Sequence, residues 1–176
     1  MKSKIIILTL TLLTLLLTNC KSLNSLQNER ENYSIIYESK GDINLDGITD
    51  IAIISSKSNS EKGIITVLIA DSKGNVTREL VNKYLTDEFI ELYNQLPEIK
   101  IENGELTISY YGGMCHRESR NFIFKFNKGL NDLFFQTFTI GEHNVCNDNE
   151  PTESEITNAE LRKIKFTEFK GYLENE

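Results

Sequence analysis

Between residues 41 and 54 the chain reads G-D-I-N-L-D-G-I-T-D-I-A-I-I, and no other stretch limits the fold so tightly. Asp42, Asn44 and Asp46 alternate, Gly47 follows the third of them, and Asp50 closes the run just before an apolar segment. A calcium ion takes about six to eight oxygens at roughly 2.3–2.6 Å. A short loop supplies them only if alternate side chains converge and the backbone turns sharply. Gly47 permits the turn, because it has no Cβ to clash at positive φ. The residues predict a structural Ca2+ site in which Asp42, Asn44 and Asp46 give side-chain oxygens, Ile48 its main-chain carbonyl and Asp50 the closing carboxylate. Without a cation, carboxylates this close repel one another. The alternative is a plain Asp-Gly hairpin turn with acids serving solubility. Such a turn requires Asp46-Gly47, but not Asp42, Asn44 and Asp50 as well.

An EF-hand would carry a bidentate Glu at the twelfth loop position, which here is Ile53. The loop is EF-hand-like without being a complete EF-hand. D-x-N-x-D-G-x-x-D running straight into Ile51-Ala52-Ile53-Ile54 resembles the shorter loops of FG-GAP (VCBS-type) repeats, found in integrin α-chain propellers and in many bacterial surface proteins. That resemblance implies a calcium loop feeding a buried strand. A complete propeller is excluded, since it needs at least four blades of about 40–45 residues, and this chain has one such loop in 176 residues.

The N-terminus predicts an export address. Lys2 and Lys4 precede an apolar run at residues 5–17 that is interrupted only by threonines. The run is short for a membrane span, which needs about 20 residues. It ends in L-T-N-C, which resembles the bacterial lipobox, with Cys20 as the lipidated first residue of the mature protein. Asn19 departs from the small residue usual before that cysteine. An ordinary secretory peptide or an uncleaved anchor is the alternative. Residues 1–19 are therefore expected to be a lipoprotein signal peptide, and residues 20–32 a lipidated cysteine and polar tether. Residues 33–176 are expected to form a single domain. The implied location is the bacterial cell envelope, lipid-anchored to the membrane at the outer membrane or cell surface rather than in the cytoplasm. With 26 acids against 19 bases and no basic cluster, the chain is a poor candidate for binding nucleic acid.

The fold class expected is mainly β (α+β), an antiparallel meander with one short helix. Strands are expected at residues 33–38, 50–56, 63–70, 76–80, 98–102, 105–111, 120–127 and 132–140, from apolar alternation between turn signals such as Asn103-Gly104. Residues 86–96 suit the helix, with Thr86 as its cap and Pro97 as its end. Gly112-Gly113 is expected to break a strand, residues 141–154 to be a polar loop, and residues 161–169 to be a last strand or docking segment. I-K-I-E-N-G-E-L-T-I-S-Y-Y-G-G, followed by F-I-F-K-F-N-K-G, resembles the second half of a group of small exported bacterial proteins of unknown activity. That similarity implies a shared fold and no known reaction.

Apart from Cys20, the cysteines are Cys115 and Cys146, and an even pair in an exported chain suggests a disulfide. The rival is a zinc site of Cys115, His116, His143 and Cys146. Zn2+ is disfavoured because adjacent residues in extended chain point to opposite sides. A hydrolase or redox centre on Cys115, His116 and His143 is a further alternative. No G-x-S-x-G, H-E-x-x-H or phosphate loop supports an enzyme. The stretch containing Tyr110, Tyr111, Gly112, Gly113, His116, Arg117 and Arg120 is the candidate recognition loop, with a bare strand connection as the alternative. The leading expectation is a non-enzymatic binding or structural module with an unidentified protein or glycan partner. An envelope protein inhibitor is the remaining alternative.

Overall fold

The computed structural model describes residues 33–57, 63–87, 90, 96–147 and 150–171. The expected signal peptide, Cys20 and the tether lie outside the described residues. Residues 35–176 form one unit.

The strands are Tyr33–Gly41 (β1), Asp50–Lys57 (β2), Gly63–Ala70 (β3), Val76–Asn82 (β4), Glu98–Glu102 (β5), Glu105–Gly113 (β6), His116–Asn127 (β7), Asp132–Asn144 (β8) and Thr152–Ile156 (β9). They form two antiparallel meanders, one ordered β1-β2-β3-β4 and the other β5-β6-β7-β8-β9. The sequence fits this because the central strands carry a two-residue apolar period. In β2 the buried Ala52 and Ile54 alternate with the half-exposed Ile51 and Ile53. In β6 the buried set is Leu106, Ile108 and Tyr110. These inner faces belong to one shared core.

The centre of that core is aromatic. Phe122 stacks on Phe138 and Phe135 on Phe169, each pair at 4.7 Å between centroids. Phe124 meets Phe135, Phe166 and Phe169 edge-on, as ring quadrupoles favour. Phe166 and Phe169 arrive from a segment expected to be a strand or docking piece. It docks as two 3-10 turns, Leu161–Lys163 and Phe166–Glu168, with a single bridge from Lys165 to Phe134. Its imperfect alternation is that of a segment burying a few large side chains without a ladder to join.

Several boundaries move. β6 continues through Gly112 and Gly113, so the glycine pair does not break the strand, and the turn to β7 is Met114-Cys115. Gly112 is needed for space, since a Cβ there would lie 2.1 Å from the Tyr110 hydroxyl. The expected loop at 141–154 is partly strand, because β8 runs to Asn144 and β9 pairs Thr152 to Ile156 with Glu142 to Phe138. Both segments are polar because they lie at an exposed end and edge, where alternation brings no burial.

The helix begins at residues 85–87, and Ile90 is also helical. Thr86 is not its cap. Its hydroxyl donates to the Gly63 carbonyl at 2.6 Å. Capping falls to Asn82, whose Oδ1 accepts from the amides of Tyr84 and Leu85. The Nδ2 of Asn82 donates to the carbonyls of Phe166 and Phe169. One fully buried side chain thus joins β4, the helix start and the C-terminal turns.

Candidate functional site

The expected recognition and calcium elements occupy opposite ends of β6 and β7. The loop at residues 42–50 touches the end where β5 turns into β6. Leu45 covers Gly104 there, and Lys128 Nζ donates to the Leu45 carbonyl at 3.0 Å.

Within this loop, oxygens are directed at backbone amides. Asp42 accepts from the amides of Asp46 and Gly47, at 3.0 and 2.7 Å. Asn44 Oδ1 accepts from Asp46, and Asp46 Oδ1 from Ile48. Leu45 and Gly47 adopt φ of 55° and 87°, which turns those amides inward. For Gly47 this is the conformation predicted; for Leu45 it is a strained one. Asp50 is fully buried. Its two oxygens accept from the amides of Ile43 and Ala70, at 3.0 and 2.9 Å, tying the loop to the end of β3. Burial pushes the Asp50 carboxyl above its usual range, against the pull of these amides, and Asp46 and Asp42 add to the upward push. The donors are all hard oxygens, the chemistry calcium prefers. Among the described residues, however, no three Asp, Glu, His or Cys side chains gather as a metal site. Asp42, Asn44, Asp46 and Asp50 are legible in the sequence, but the loop's supports, Ala70 and Lys128, are not.

At the other end, Cys115 and Cys146 are joined in a disulfide with Cα atoms 5.1 Å apart. The Cys115 carbonyl also accepts from the Val145 amide at 2.8 Å. This fastens the β6–β7 turn to the end of β8. The bond takes up both thiols, so the set Cys115, His116, His143 and Cys146 has no thiolate left for zinc or for nucleophilic attack while it is closed.

The register places Gly113 opposite Arg117, and Arg117 opposite His143. Arg117 donates to the Tyr111 hydroxyl at 3.2 Å, and its guanidinium lies 5.6 Å from the centroid of that ring. Its Nε is buried and has no acceptor among the described residues. Tyr111, Arg117, Ser119, His143 and Glu153 line a cavity of about 200 Å³. His116 Nε2 lies 3.9 Å from Glu142, and Arg120 pairs with Glu118. Tyr110 belongs to the core, on the face of β6 opposite Tyr111. Of the predicted recognition residues, the structure therefore brings Tyr111 and Arg117 together and places Tyr110 elsewhere. His143 joins them through strand register, which only the unexpected extension of β8 supplies.

No protein-family model matches this sequence, and no curated protein and no solved structure matches it either. No helix among the described residues is long and apolar enough to cross a membrane.

Proposed function

We propose that this chain is an exported lipoprotein of a bacterial envelope, held to the membrane by a lipid on Cys20, whose β domain binds a partner rather than catalysing a reaction. The observation that carries the binding reading is Arg117, with a buried Nε lacking an acceptor among the described residues beside a small cavity. An unpaired buried donor costs free energy, and a partner that opens the tip and brings a carboxylate to the guanidinium would recover that cost. Two strands, a disulfide and the Tyr111 ring hold the guanidinium in place, so little ordering remains to oppose binding. The test is cross-linked capture from envelope extracts with the unaltered protein and with Arg117→Gln. A partner lost in the variant supports the reading; capture unchanged by the substitution rejects it. An envelope inhibitor would use the same tip, plugging a partner's site with the exposed Met114.

Calcium at residues 42–50 belongs to the same proposal, as a structural ion without a chemical role. Its support is the oxygen-only donor set and the crowding of Asp42 and Asp46 around a buried Asp50. A ligand that binds only the folded state stabilises it by about 2.7 kcal/mol at a hundredfold excess over Kd. A thermal melt in millimolar calcium should therefore lie well above one in chelator, and coincident melts would reduce the loop to an acidic turn.

A further inference from the structure

A second cavity, of about 430 Å³, lies between the outer side of β7–β8 and the C-terminal turns. Its size falls in the range of small-molecule pockets, about 300–1,000 Å³. Phe134 and Leu130 give it an apolar wall, and Lys125, Arg162 and Lys163 stand around it. In a chain of net charge −7, three cations around one aromatic-walled cavity run against the overall electrostatics.

The backbone explains how one of them is fixed. Phe124 pairs with Phe135 and Ile123 with Thr137, which leaves Gln136 as an extra residue in β8. Such a bulge takes its residue out of the ladder and re-aims it. The Gln136 carbonyl accepts from Arg162 Nε at 3.0 Å. That bond anchors the guanidinium at the cavity and leaves its two terminal nitrogens without partners among the described residues. Lys163 and Lys125 are instead balanced by the well-exposed Glu160 and the half-exposed Glu105.

We propose that this cavity binds a small organic anion, a carboxylate or another oxyanion on a flat apolar body. The oxyanion would take the paired terminal N–H groups of Arg162, which match it in bidentate geometry. The apolar body would lie against Phe134 and Leu130. Lys125 and Lys163, held by carboxylates in solvent, would add long-range attraction more than contact energy. The site is independent of the Arg117 tip and does not depend on calcium or on the lipid anchor.

The test uses naphthoate as probe and naphthalene methanol as its uncharged counterpart, with binding followed by backbone amide shifts. Naphthoate should shift the amides of Phe134, Gln136 and Arg162, and the alcohol should bind roughly tenfold more weakly, the scale of one charge-assisted contact. Arg162→Gln should weaken naphthoate by a similar factor, and Lys125→Gln should do so by a few-fold. Arg117→Gln should leave it unchanged. Equal affinity for acid and alcohol would overturn the proposal. So would naphthoate shifts centred on Tyr111 and Arg117, or full binding by Arg162→Gln. Since the Arg162 side chain is exposed and makes one hydrogen bond to the fold, its variant should keep the parent melting temperature; if it does not, the Lys125→Gln result decides.

Discussion

The two ends of β6 and β7 are held by opposite means. At one, the loop of residues 42–50 is shaped by carboxylates accepting from backbone amides, with a buried acid at its root. At the other, a covalent bond closes the turn and, among the described residues, Arg117 Nε has no acceptor. The acidic end spends its polar groups on itself, whereas the disulfide end leaves a buried donor unpaired. A loop that satisfies its own amides suits a structural role, and an unsatisfied, pre-positioned guanidinium suits recognition.

The largest expected effect comes from opening the covalent end. Cys115→Ser with Cys146→Ser removes a cross-link spanning 31 residues, which in the chain-entropy model stabilises by roughly 3–4 kcal/mol. Chemical denaturation should show that loss, and the shift between calcium and chelator should survive it. If the calcium response disappears with the disulfide, the two ends are coupled and the contrast between them fails.

Next comes Asp50→Ala. It strands the amides of Ile43 and Ala70, one of them buried, at an expected cost of roughly 2–4 kcal/mol in denaturant unfolding. Asp50→Asn should recover only part of this, because its amide nitrogen would face a donor. A variant as stable as the parent would show that the acid is not the root of the loop.

How these two ends stood in the sequence differs in kind. The acidic loop was legible because its chemistry is local: Asp42, Asn44, Asp46 and Asp50 lie within one turn of chain, and Gly47 marks the bend. The disulfide was legible from cysteine parity alone. The cavity beside Arg117 was not, because it depends on β8 pairing as far as Asn144 and on β9 beyond it, and both stretches are polar. Asn82 was missed for a related reason. Its partners lie 84 and 87 residues away, and an asparagine at the end of a strand looks like an ordinary turn residue. The aromatic strands were plain from period two, yet the same rule could not show that Phe166 and Phe169 enter the core from 3-10 turns.

Two glycines compare the ends with the same substitution. Gly47 and Gly113 both adopt positive φ, 87° and 105°. A Cβ on Gly47 meets nothing within 4 Å, while one on Gly113 would lie 2.1 Å from the His116 carbonyl. Gly113→Ala combines backbone strain with a clash and should cost more than Gly47→Ala, which carries strain alone, roughly 1 kcal/mol. Parallel melts test the order, and its reversal would mean that the acidic loop, rather than the disulfide turn, is the tighter of the two.

The smallest effect is in the pH profile, where two acidic turns of the same sheet should oppose each other. Asp50 is raised by burial, so its folded form holds the proton more tightly than the unfolded chain does. Its ionisation therefore costs stability. That cost is fully present above the folded pKa and is relieved as pH falls through it toward the unfolded value. Asp71, in the exposed β3–β4 turn, is lowered chiefly by the amides of Asn75 and Lys73. Its contribution is present above the unfolded pKa and is lost as pH falls through the folded one. Mild acid should thus relieve the Asp50 loop before stronger acid weakens the Asp71 turn. Asp50→Asn should abolish the first change and keep the second, whereas Asp71→Asn should do the reverse. Calcium, by favouring the ionised carboxylates at residues 42–50, should also flatten the first change. If calcium leaves the profile unchanged, the charge on Asp50 is balanced by amides alone, and the loop differs from the disulfide end in needing no ligand at all.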